Sequence, residues 1–247
     1  MRVALSPKEA DREIGHEWFF RAWAERESTL RFERLHGALV ERQVPEGLRE
    51  ACQQAAEDER RHAQICAELG AQFCDEDPYR DMPMPASPVG PKKLSPGSRL
   101  LYEIVAFCCV TESMNAALLM TLHQTVSHQG VRETAHALLV DEVQHAKFGW
   151  AYLAYVQNRR EDVGFLAPYV GDMIRASASE NLTDLSRLCQ SWSDPDRGYL
   201  SAQTRIEIFS HCLEDVIFPG LEMHGVETTS ARHWLDTQTW YDERAGD

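Results

Sequence analysis

Asp58-Glu59-Arg60-Arg61-His62 and Asp141-Glu142-Val143-Gln144-His145 are two copies of one five-residue pattern, Asp-Glu-x-x-His. On a helix, residues three apart share a face, so each copy offers a carboxylate and an imidazole in one direction. The neighbours on those faces are small and apolar. They are Cys52, Ala55, Ala56, Ala63, Cys66 and Leu69 around Glu59, and Ala135, Leu138, Leu139, Ala146, Gly149 and Leu153 around Glu142. A carboxylate pointed into such a stripe is costly to bury unless something compensates its charge.

Three further Glu-x-x-His pairs occur, and their stripes separate them from these two. Glu133/His136 shares its face with Gln129, Arg132, Gln144 and Lys147, with Val140 and Val143 the exceptions, a largely solvated surface. Glu33/His36 lies on a mixed stripe, and Glu13/His16 sits near a helix end. All three read as ordinary surface.

Working outward, helical periodicity dominates. It predicts helices over roughly 8–42, 46–70, 97–128 and 130–159, then roughly 164–190 and 200–217. Ser95-Pro96-Gly97-Ser98 marks the start of the third helix, and Gly130 a short turn after it. Alternating strand patterns are nearly lacking, so the expected class is all-α. Residues 75–98 hold Pro78, Pro83, Pro85, Pro88, Pro91 and Pro96, six of the eleven prolines, and cannot be helix. Extended, they reach roughly 70 Å, more than enough to cross the length of a bundle.

Each half before and after this segment also places a single Glu one helix ahead of its motif. In the second half it is Glu112, on a stripe of Val105, Cys108, Cys109, Ala116 and Leu119. In the first half Glu25 competes with Glu27. The Glu25 stripe (Trp18, Ala22, Ser28, Thr29, Phe32, Leu35) is the more apolar, whereas the Glu27 stripe runs into Arg31 and Arg34. The chain thus reads as a repeated helix hairpin. A carboxylate-bridged di-metal site in a four-helix bundle takes one Glu from each of two helices and Glu-x-x-His from each of the other two. Four carboxylates and two neutral imidazoles balance two divalent ions. Oxygen and nitrogen donors without thiolate suit iron, or manganese, better than structural zinc. Asp58 and Asp141 are placed to orient the histidines, each serving the opposite helix. Thr111, Asn115 and Ser28 stand beside or on the site face, as packing residues or as contacts to bound oxygen species. Tyr102 and Tyr152 are packing residues or electron relays.

These residues resemble the ferritin-like diiron superfamily. The segment Ala24-Glu25-Arg26-Glu27-Ser28-Thr29-Leu30-Arg31-Phe32 is similar to the first helix of bacterial ferritin-like proteins, which supports Glu25 over Glu27. The resemblance covers roughly residues 14–157. It implies a ferritin-like four-helix bundle with a long crossover, with Glu25, Glu59, His62, Glu112, Glu142 and His145 as catalytic metal ligands to two iron ions. The paired motif also resembles the oxygen-activating hydroxylase branch. The implied activity is that of a diiron oxidoreductase that uses O2 to oxidise or hydroxylate a small organic substrate. Rubrerythrins carry a four-cysteine electron-transfer module; this chain has no C-x-x-C, so an external electron donor is expected. The alternatives are a ferroxidase or peroxide-scavenging protein without organic substrate, and a non-enzymatic metal-binding protein. A dimanganese catalase-like site and tRNA hydroxylation also stay open at this stage.

Residues 161–247 read as a C-terminal helical extension packed on a 1–160 bundle. Its stripe is Ile206, Phe209, Cys212, Leu213, Val216 and Ile217, it stops at Pro219-Gly220, and Met223, Trp234 and Trp240 add apolar material. It could cap the bundle, shape a pocket or form a homodimer interface. With Asp+Glu 39 against Lys+Arg 25, the net charge of −14 disfavours nucleic acid as a partner. Seven cysteines without a framework spacing, together with an N-terminus that lacks a signal pattern, point to a reducing, cytoplasmic setting. No run of about 18 apolar residues is seen, so no membrane span is expected.

Overall fold

The computed structural model describes residues 5–84, 88–182 and 192–238. The end of the predicted fifth helix (183–190), Cys189 and Trp240 lie outside them. Among the described residues the chain is all-helical, and its β-type pairing is the isolated bridge between Asp194 and Tyr199. The helices are α1 (Pro7–Glu41), α2 (Glu46–Phe73), α3 (Pro96–Ile104), α4 (Glu112–Thr125), α5 (Gln129–Asn158), α6 (Val170–Leu182), α7 (Ala202–Cys212), α8 (Phe218–Met223) and α9 (Thr229–Asp236). The chain divides into two compact units that interleave in sequence. One holds Met1–Val89, Leu119–Gln144 and Ser191–Ser201; the other holds Gly90–Leu118, His145–Gln190 and Ala202–Asp247.

In the first unit, α1 begins with a capping box. Ser6 Oγ accepts from the Glu9 amide at 3.4 Å, and the Glu9 carboxylate accepts from the Ser6 amide at 2.9 Å. It ends in a Schellman turn. Gln43 takes a left-handed φ of 54°, its amide donates to Val40 O at 3.0 Å, and the Val44 amide donates to Leu39 O at 3.1 Å. Leu39 and Val44 are both buried, supplying the apolar contact this turn favours. The chain then reverses, and α2 packs back along α1. Near the far end the two helices approach closely. A Cβ on Gly70 would lie 3.1 Å from Gly15 O, and one on Gly15 would lie 2.7 Å from Cys74 Sγ. Further along, Arg197 pairs with Asp11 of α1 and donates from Nε to Asp194 at 2.8 Å, fastening the 191–201 segment to α1.

In the second unit, α3 starts where expected: Ser95 Oγ accepts from the Ser98 amide at 3.2 Å, with Pro96 in the first turn. Between α3 and α4 lies a π-helical stretch, Val105–Thr111. A second one, Leu213–Ile217, joins α7 to α8. The second π stretch corrects two expectations. Its wider turn shifts the buried stripe, leaving Val216 exposed. It also lets the helix continue past Pro219-Gly220, because Pro219 falls in the first turn of α8, where a missing amide N–H costs little. Met223, expected to add to the apolar core, is 77% exposed. Residues 164–169 form a 3-10 turn containing Pro168 rather than the start of an α-helix, and the α4–α5 turn lies at 126–128, ahead of Gly130.

The run Pro96–Thr125 is 30 residues long with a mean hydropathy of 1.6 in its most apolar window, and by length and composition it could cross a membrane. An uninterrupted apolar run is not needed for this; averaging tolerates the interruption by Glu112. The same window is 61% buried within the protein, and a core helix passes the same test.

Candidate metal centre

The site is built in the first unit from three helices. Glu25 lies mid-way along α1, Glu59 and His62 on α2, and Glu142 on α5. Each is buried, and one ligand atom from each lies within 4.8 Å of those of the others. The competing Glu27 is half-buried and paired with Arg31 at 2.5 Å. Ala55, Ala56 and Ala63, small and buried, accompany Glu59 and His62 on α2.

His62 is held in a definite orientation. Its Nε2 lies 3.0 Å from Asp141 Oδ2 on α5. An ionised carboxylate can only accept, so Nε2 carries the proton and donates. Nδ1 is thereby turned toward the acidic cluster, 3.5 Å from Glu59 Oε2 and 3.6 Å from Glu142 Oε1. Both separations exceed an ordinary N–H···O bond and leave space around Nδ1. Asp141 Oδ2 also accepts from Arg61 Nη2 at 2.6 Å, and the same Arg61 nitrogen donates to Asp58 Oδ1 at 3.0 Å. Asp58 additionally accepts from Gln54 at 3.1 Å. Arg61 is a further functional candidate, and spacing within one helix does not reveal it because its second partner, Asp141, is on α5.

The electrostatics follow from crowding. Burial, reinforced by the Glu59 and Glu142 carboxylates, pushes the Glu25 carboxyl well above its ordinary range. For His62, burial disfavours the cation, but the adjacent Glu142 and Glu59 carboxylates and the charge of Glu25 prevail and raise it to about 11. Crowding therefore favours a protonated Glu25 carboxyl and a positive His62 imidazolium beside the other carboxylates. A buried set of three carboxylates and one imidazole, with the imidazole oriented from behind by an aspartate, could hold a metal ion.

Cys66, one turn beyond His62, is fully buried, and its thiol is raised by burial and by the nearby Glu25. The six cysteines among the described residues are free thiols.

Of the remaining predicted residues, Glu112, His145, Thr111, Asn115, Tyr102 and Tyr152 lie in the second unit. Glu112 is 1% exposed, at the first position after the π stretch, and accepts from Asn115 Nδ2 at 3.3 Å. The Glu112 amide donates five residues back to Phe107 O, the π spacing, and Thr111 Oγ1 donates five back to Ala106 O at 3.3 Å. Such π turns recur at functional sites, and periodicity alone had not signalled this one. His145 is buried on α5, one turn after Glu142. Tyr102 and Tyr152 are buried, Tyr102 edge-on against Tyr169. Ser28 is buried on α1. Of the other Glu-x-x-His pairs, Glu133 and His136 are both exposed, and Glu33 is exposed and paired with Arg60 at 2.6 Å.

Compared with known proteins, the chain matches no family model, no curated protein and no solved structure.

Proposed function

We propose that this chain is a ferritin-like diiron oxidoreductase that uses O2 to oxidise a small organic substrate. The observation that carries the reading is the buried convergence of Glu25, Glu59, His62 and Glu142, with Asp141 behind His62. Such a donor set, rich in carboxylate and without thiolate, suits iron or manganese. The sequence repeat assigns Glu112 and His145 to complete a pair of ions, with a four-helix bundle as the scaffold. Iron held there would supply electrons for the reduction of O2.

The chain's own residues do the rest. Asp141 keeps Nδ1 of His62 aimed at the cluster, and Arg61 keeps Asp141 in place. Burial of the carboxylates excludes bulk water, which strengthens every charge interaction among them. Ala55 and Ala63 keep the side chains near the donors small. Electrons would come from an external reductase.

The test is O2 uptake by the ferrous-loaded chain, with an artificial reductant and a panel of small organic compounds. Catalytic uptake coupled to an oxidised product supports the proposal. Uptake that tracks added ferrous ion and yields no organic product would instead place the chain among iron-handling proteins.

A further inference from the structure

In the first unit, the end of α4 and the start of α5 form a hairpin around the short turn at 126–128. The His123 ring of α4 stacks on the His136 ring of α5, with centroids 4.6 Å apart, so the two helices lie side by side there. One turn farther from the connection, on the same seam, come Met120 and Val140. They are 41% and 51% exposed, and Ala137 and Val143, one turn either side of Val140, are half-buried.

The charge of this face sets it apart. Residues 113–131 contain no Asp, Glu, Lys or Arg, in a chain that is 26% charged. The exposed charges at the start of α5 are Arg132 and Glu133, which cancel. Asp141, next to Val140, is turned to Arg61 and His62. A surface helix carries charged or polar residues on its solvent side, and apolar surface left without them marks a contact. In the second unit Val216 and Met223 are exposed as well, but exposed Asp215 and Glu222 stand beside them.

We propose that the outer face of the α4–α5 hairpin binds a second copy of this chain, giving a two-fold dimer centred on Met120 and Val140. A two-fold interface sets the same patch on both sides, so the patch must tolerate itself. Each chain carries a net charge of −14, and most mutual approaches bring like charges together. On this face neutral meets neutral, and apolar side chains meet apolar side chains. A strongly charged partner would find no counter-charges there. The Val216/Met223 stripe fails the same requirement, because self-pairing would crowd Asp215 and Glu222 of two copies.

Sedimentation velocity of the full chain at micromolar concentration tests this, using Met120→Glu, Val140→Glu and Val216→Glu variants. All three side chains are exposed, so the substitutions leave the core intact, and circular dichroism checks that helix content is unchanged. The expected result is a mass of two chains for the unaltered protein and for Val216→Glu, halved in Met120→Glu and Val140→Glu. An unaltered chain that sediments as a monomer, or a dimer that survives both hairpin substitutions, would overturn the proposal.

Discussion

Nε2 of His62 on α2 donates to Asp141 on α5 at 3.0 Å, so the aspartate of one motif copy orients the histidine of the other. Removing the carboxylate charge while keeping the shape isolates this role. Asp141→Asn should weaken metal binding by about 10–100-fold, the usual cost of losing a partner behind a ligating histidine. A competitive metal titration measures it, and unchanged affinity would mean that His62 needs no such support.

Glu25 illustrates a conflict between stability and function. Its carboxyl is buried among Glu59 and Glu142 and resists ionisation. Glu25→Gln keeps the volume and removes the charge. The metal-free variant should melt a few degrees higher than the unaltered chain, and metal should stabilise it less. Thermal melts with and without ferrous or manganous ion check both halves.

The pH dependence has a definite sign. His62 binds its proton more tightly folded than unfolded, with a folded value of about 11 against an ordinary 6.5. Its contribution is fully present below about pH 6.5 and is lost as pH rises toward the folded value. The raised Glu25 carboxyl acts in the same direction, holding a proton when folded that the unfolded chain releases above the ordinary carboxylate range. The metal-free chain should therefore lose stability between pH 6 and pH 9, and metal should bind more tightly across that range while releasing protons. Melts and proton-release titrations of the unaltered chain and His62→Gln measure this; a metal affinity that falls with rising pH would contradict it.

Gly149 marks a place where backbone proximity rules out a side chain. A Cβ there would lie 2.6 Å from Cys108 Cβ and 3.0 Å from the Cys108 carbonyl carbon and the Cys109 nitrogen, inside the π stretch that leads to Glu112. Backbone cannot move aside as a flexible side chain can. Gly149→Ala should cost about 1–3 kcal/mol, seen as a lower denaturant midpoint.

These features were unevenly legible in the sequence. Long helices with one apolar face declare themselves through periodicity, and α1, α2 and α5 lie within a few residues of their expected spans. The stripes also separated buried Glu25 from Arg31-paired Glu27, and buried Glu59 and Glu142 from exposed Glu133, because burial depends on the whole face and not on one residue. The π stretches were illegible: one extra residue per turn changes no composition and leaves local propensity unaltered. Val216 was misplaced for that reason. Arg61 escaped notice because its role depends on α2 and α5 lying side by side, which spacing within one helix does not reveal. The stacking of His123 on His136 escaped for the same reason, since it joins residues of different helices.

The most direct test of the account is the metal content of the chain after anaerobic reconstitution with ferrous ion, measured beside Glu59→Ala. The account predicts about two irons per chain, as a paired-carboxylate site requires, and their loss in the variant. A folded chain that binds no iron, or binds it equally after Glu59→Ala, would contradict it.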